Sequence, residues 1–168
     1  MKIGILGGSF DPAHKGHLAI SKEAKRRFKL EKIIWAVTKK NPLKAESKTP
    51  LSKKIKDCKK IIGMNSFIKV KFYENIIKSN KTIDLINYLK KDKKIEIFFL
   101  MGADNLINFH KWFRSKLISQ KCNIIVFDRH GYKKNSLKSK TFKSLTNKTL
   151  TFVEFKKVNI SSSQLRKI

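Results

Sequence analysis

Cysteine is nearly missing from this chain. Cys58 and Cys122 are the only two in 168 residues, and their spacing matches neither a disulfide framework nor a metal-ligand cluster. No apolar run reaches the roughly 18 residues that a membrane-crossing helix needs. The short apolar start, Ile3-Gly4-Ile5-Leu6, is broken by Gly7, Gly8 and Asp11, too early for a secretory signal. Acidic residues number 12 against 40 Lys and Arg, a formal net charge of +28. Arginine is scarce as well: positions 26, 27, 114, 129 and 166 hold all five, and the other 35 cations are lysines. These absences point to a cytoplasmic, reducing setting with no membrane partner.

What is present is a foldable chain. Hydrophobic residues make up 40%, with 21 Ile and 12 Phe, enough to build the core of one α/β domain. The charge invites a nucleic-acid reading, because Lys-rich surfaces attract phosphate backbones. Two features argue against dedicated nucleic-acid binding. Base and phosphate recognition favours the planar Arg fork, which is rare here, and the lysines are spread along the chain. The joint excess of Lys, Ile and Asn fits an A+T-rich coding sequence. Sites for small anionic substrates are the third option.

Apolar runs alternate with helical spacing. Strands are expected at 2–6, 32–37, 67–73, 95–101, 122–127 and 149–155. Helices are expected at 16–28, 51–63 and 82–90, with short helical pieces over 105–117 and a terminal helix from Ser161. The Lys-, Ser- and Asn-rich stretch 129–148 reads as a mobile polar loop. Buried strands separated by helices argue for a mainly parallel sheet covered on both faces. With no repeat and no linker, residues 1–168 are expected to form a single doubly wound, Rossmann-like α/β domain.

The first strand runs into Gly7-Gly8-Ser9-Phe10-Asp11-Pro12-Ala13-His14-Lys15-Gly16-His17. Glycines at the carboxyl end of a strand let a nucleotide approach the backbone. His14 and His17 share one face at the positive end of the next helix, which suits oxyanions, although such a pair also occurs as a purely structural one. Neither the dinucleotide fingerprint nor the P-loop spacing is present.

This segment closely resembles the opening motif of the nucleotidyltransferase superfamily with the His-x-Gly-His element. Met101-Gly102-Ala103-Asp104-Asn105 and Phe109-His110-Lys111-Trp112 are similar to the middle motif of bacterial nicotinate-nucleotide adenylyltransferases. Ile160-Ser161-Ser162-Ser163-Gln164-Leu165-Arg166 resembles the superfamily's closing motif, and Asn41-Pro42-Leu43-Lys44 the loop after strand two. The resemblance implies adenylyl transfer from ATP to nicotinate mononucleotide, with Mg²⁺, giving deamido-NAD and pyrophosphate. It implies His14, His17, Lys44 and Arg166 as the catalytic groups on the ATP phosphates. It further implies Gly7, Gly8, Ser9, Phe10, Gly102, Asp104, Ser162 and Ser163 as ATP-binding, and Thr82 and Trp112 as contacts of the mononucleotide. No metal-ligating residue is implied.

Simpler readings stand beside these. The closing serines also read as a helix cap, Asp104 as an N-cap, and Trp112 and Phe113 as core. Trp35 reads as core, and His110 and His130 as surface residues. Three positions depart from the family's pattern: Ser163 replaces a Thr, Thr82-Ile83-Asp84-Leu85 lacks a second Thr, and Arg166 is followed by only two residues. The last leaves about two turns for a terminal helix, a marginal length. Two alternatives stand beside this reading, a pantetheine-phosphate adenylyltransferase-like enzyme and a basic nucleic-acid-binding protein of the same fold.

Overall fold

In the computed structural model, which describes residues 1–39, 48–129, 131–145 and 149–155, the Ile-, Phe- and Val-rich runs become strands. In chain order the elements are β1 (Lys2–Gly8), α1 (Lys15–Phe28), β2 (Lys32–Val37), α2 (Leu51–Ile62), β3 (Ile68–Lys71), α3 (Glu74–Ile77), α4 (Thr82–Leu89) and β4 (Glu96–Gly102). Then follow α5 (Ala103–Asn108), a 3₁₀ turn (Phe109–Lys111), α6 (Ser115–Lys121), β5 (Asn123–Phe127), α7 (Lys133–Leu137), α8 (Lys140–Leu145) and β6 (Leu150–Val153). Among the described residues the strands form one sheet in the order β3-β2-β1-β4-β5-β6. Every pairing is parallel. The chain turns outward in both directions from β1, so the strand order reverses between β1 and β4, where doubly wound sheets bind ligands.

Alternating side chains feed two cores. Ile3 and Ile5 of β1 join one, with α4, α5 and α6; Leu6 joins the other, beneath α1 and α2. Gly4 lets that second face close, since a Cβ there would lie 2.9 Å from Leu30 Cδ1 and 3.1 Å from Ile33 Cγ1. Helix α1 is capped by His14 and ends at Lys29, whose N–H bonds the Lys25 carbonyl and whose left-handed conformation turns the Leu30 N–H onto the same carbonyl at 3.2 Å. Within α1, Glu23 grips both Arg26 and Arg27. Helix α2 buries Lys54, Cys58 and Ile62, one turn apart along a single face. Lys54 is 1% exposed, and its ammonium donates to the carbonyls of Thr38 (3.4 Å) and Lys39 (3.2 Å), just past β2.

Two expectations are corrected. Residues 129–148 were expected as a polar loop, yet α7 and α8 lie within them. One hydroxyl helps make this possible: Ser139 donates to the Ser136 carbonyl and accepts from Phe142 N–H, while Phe142 packs edge-on against Phe152. The strand expected at 67–73 ends at Lys71, and α3 follows. The described helices include none long and apolar enough to cross a membrane.

Candidate active site

The carboxyl ends of β1 and β2 open on a cavity of about 330 Å³. Gly7, Gly8 and Ser9 form its floor with Ala36, Val37 and Thr38. A Cβ on Gly7 or Gly8 would meet only ordinary contacts, at 3.6 Å or more, so the open space above them is not filled by protein. Thr82 and Leu85 of α4 line one wall, and Trp112 and Phe113 another. Trp112 stands edge-on to Phe99 at 5.8 Å between ring centroids and packs at 5.1 Å on Phe109. The simpler reading of core packing fits half-buried Trp112 only in part and does not fit Phe113, which is 53% exposed. Trp35 is fully buried, as expected, and His110 is exposed.

Beside the cavity, the turn after β1 places the histidines. Phe10 has φ of +49°, a strained value for a bulky residue. Its ring stacks on Trp35 at 5.1 Å and touches His17 at 4.7 Å. Phe10 is therefore 2% exposed and supports the turn with its ring, which leaves the backbone as the part of Phe10 that lines the turn. The first turn of α1 is braced further. Trp35 Nε1 donates to the Ser21 hydroxyl, which donates to the His17 carbonyl.

His14 and His17 stack at 3.9 Å. Gly16 N–H donates to His14 Nδ1 at 3.0 Å, and His14 N–H donates to His17 Nδ1 at 3.1 Å, a reciprocal cap of α1. In a neutral imidazole whose Nδ1 accepts, the proton sits on Nε2. Burial, reinforced by the positive charge of Arg129, lowers the His14 pKa to about 4. At neutral pH His14 is thus an uncharged Nε2–H donor.

At the end of β4, Asp104 is not the N-cap of α5; Gly102 is. Asp104 Oδ2 instead accepts from Arg129 Nη1 at 3.1 Å, while its Oδ1 is buried without a hydrogen-bond partner. Gly102 allows this packing, because a Cβ there would lie 2.6 Å from Asp104 Oδ1 and 3.5 Å from the Arg129 guanidinium. Arg129 was missed in the sequence, which carries no signal linking it to a residue 25 positions earlier. Lys81, Lys111 and Glu74 also line the cavity and were not foreseen. Glu74 is held by the Thr38 hydroxyl and, at 3.4 Å, by Lys39 N–H. Lys44, Ser162, Ser163, Arg166, the 41–44 loop motif and His130 lie outside the described residues. No group of three or more His, Cys, Asp or Glu that could hold a metal ion occurs among the described residues.

A cytidylyltransferase-like family model matches residues 5–168. The chain belongs to that family. Within it, a Pelagibacter ubique relative is 68% identical over 99% of this chain and 93% of its own length, and bears the name "probable nicotinate-nucleotide adenylyltransferase". A Methylorubrum extorquens protein of the same name is 37% identical, covering 79% of this chain and 72% of itself. Among solved structures, Plasmodium falciparum nicotinic acid mononucleotide adenylyltransferase complexed with NaAD superposes with a TM-score of 0.79. It is 22% identical, over 99% of this chain and 82% of its own, and so supports the fold. The architecture of this cytidylyltransferase-like chain is the doubly wound one the sequence implied.

Proposed function

We propose that the chain transfers the adenylyl group of ATP to nicotinate mononucleotide, giving deamido-NAD and pyrophosphate. The observation that carries this reading is a juxtaposition at the β1/β4 switch point. A histidine-capped helix start, suited to phosphates, adjoins an aromatic-walled cavity of about 330 Å³ that suits a pyridine ring and its ribose. The name of the 68%-identical relative agrees with it.

The reaction needs no general base. A phosphate oxygen of the mononucleotide, already anionic, attacks the α-phosphorus of ATP; one P–O bond forms, the α–β bridge breaks, and pyrophosphate leaves with the electron pair. Catalysis reduces to in-line alignment and stabilisation of developing charge. The Nε2–H groups of His14 and His17 donate to the phosphates from a preorganised turn, so no proton need be lost before they act. Gly7, Gly8 and Ser9 admit the nucleotide to the backbone, and the Arg129–Asp104 pair flanks it. Trp112 stacks on the pyridine ring, with Thr82 beside it. By resemblance, Lys44, Ser162, Ser163 and Arg166 complete the phosphate side. ATP enters as its Mg²⁺ complex, the ion held by phosphate oxygens, as is usual for an ion that retains most of its waters.

The test is pyrophosphate release from ATP and Mg²⁺ with each candidate acceptor. Release with nicotinate mononucleotide is expected. Release only with phosphopantetheine would replace this reading with the coenzyme A branch of the superfamily.

A further inference from the structure

We propose that Trp35 is a positioning residue for the transfer: its indole, through the Ser21 hydroxyl, holds the His17 imidazole in place on the phosphate side of the site. The inference rests on the adenylyl-transfer reading above and adds which buried groups keep that histidine aligned.

Trp35 is a rigid reference point. Its strand is paired on both sides, Trp35 lying beside Leu6 of β1 and Val70 of β3, and the side chain is fully buried. An indole N–H at that depth needs an acceptor. It has one in the Ser21 hydroxyl at 2.8 Å, and Ser21 is fully buried as well. A hydroxyl carries a single hydrogen. With the indole on one of its lone pairs, Ser21 directs that hydrogen to the His17 carbonyl at 2.9 Å. Accepting the first bond strengthens the second. The relay thus runs from a fixed strand to the backbone of the histidine that the proposed reaction places against the phosphates.

The same indole acts on the His17 ring. Phe10 lies nearly parallel to it, with 16° between the planes, and touches His17, which packs on His14. The centroids of the indole and the His17 imidazole are themselves 5.8 Å apart. Backbone and side chain of His17 are therefore both held from one residue of β2. Such a tether has a use here, because His17 sits in the first turn of α1 and helix ends fray. A core that needed only bulk at position 35 would be served by Phe. What the indole adds is the N–H, and that N–H leads to the turn bearing the histidine. A donor to developing phosphate charge must be in place beforehand, and a displacement of about 1 Å can cost roughly 100-fold in rate.

The experiment measures kcat and both KM values for pyrophosphate release from ATP and nicotinate mononucleotide. The samples are the wild-type chain, Trp35→Phe, Ser21→Ala, and each of these changes combined with His17→Ala. Ser21→Ala keeps the indole and its packing, so it reads the relay even where Trp35→Phe lowers the amount of folded protein. Each single change is expected to lower kcat roughly tenfold and to leave both KM values within about twofold, as loss of a contact made in the transition state implies. In the His17→Ala background the same changes should lower kcat by less than about twofold, because the group they position is already gone. Unchanged kcat in both single variants overturns the inference. So do full losses repeated in the His17→Ala background, which would make Trp35 and Ser21 supports of the fold alone; either result leaves the proposed reaction standing. A wild-type chain that releases no pyrophosphate with this acceptor overturns that reaction and the inference with it.

Discussion

The imidazoles of His14 and His17 each accept a backbone N–H on Nδ1, so the cap that starts α1 also sets the proton of the neutral His14 ring on Nε2. Structural and chemical readings of the pair were alternatives in the sequence. The fold shows the structural one directly, and the proposed phosphate contact uses the same pair. The cap spends the acceptor side of each ring on the backbone.

His17→Ala separates the two roles by magnitude. Loss of half of a reciprocal cap removes about 1 kcal/mol of stability, whereas loss of one preorganised donor lowers kcat about 100-fold or more. Thermal unfolding and pyrophosphate release on the same sample check this. A variant with near-normal kcat and a lowered melting midpoint would leave His17 a cap and nothing more.

Acid should weaken the fold through His14. Its pKa is 6.5 in the unfolded chain and about 4 in the native one, so between those values the unfolded state binds more protons. The stabilisation is complete above 6.5 and is lost as pH falls toward 4. On the linkage scale the shift is worth about 3 kcal/mol. Arg129→Met removes the weaker of the two causes, so the His14 pKa should rise while remaining below 6.5, because burial persists. Urea unfolding across this pH range, with ring-proton NMR of His14, reads both effects. A His14 pKa indifferent to Arg129→Met would detach the guanidinium from the site.

Gly102→Ala tests the Asp104–Arg129 pair without touching either charge. The backbone at Gly102 suits any residue, with φ −80° and ψ 158°, so the whole effect comes from the 2.6 Å approach to Asp104 Oδ1. The carboxylate must move off its partner, at roughly 1–3 kcal/mol in stability. KM for ATP should rise several-fold with little change in KM for the mononucleotide. Unchanged KM for ATP would remove Asp104 from the nucleotide's surroundings.

The strands were legible because buried parallel strands are continuous apolar runs, and 32–37 matched at both ends. The helices over 133–145 were not, because the hydroxyl that joins them belongs to Ser139, a residue type that also marks loops. In the site, Gly7, Gly8, Ser9, Thr82 and Trp112 were read from motifs and line one cavity. The inward turn of the Phe10 ring was not legible, because nothing in the sequence reveals its positive φ. Arg129 and Glu74 act through partners 25 and 36 residues distant, Asp104 and Thr38, and one-dimensional spacing carries no trace of such pairs.

The strand at the centre of the sheet is also the first to be synthesised. One edge of β1 finds β2 within about thirty residues, Ile3 lying beside Lys32. The other edge must wait for β4, where Lys2 meets Glu96 and Leu6 meets Leu100. Closing so distant a pairing is slow compared with local helix formation. It is also the step that brings the Gly7–Ser9 turn against Phe99 and Trp112. A growing chain thus carries its histidine motif well before there is a cavity beside it, and the cavity takes shape only when β4 joins β1.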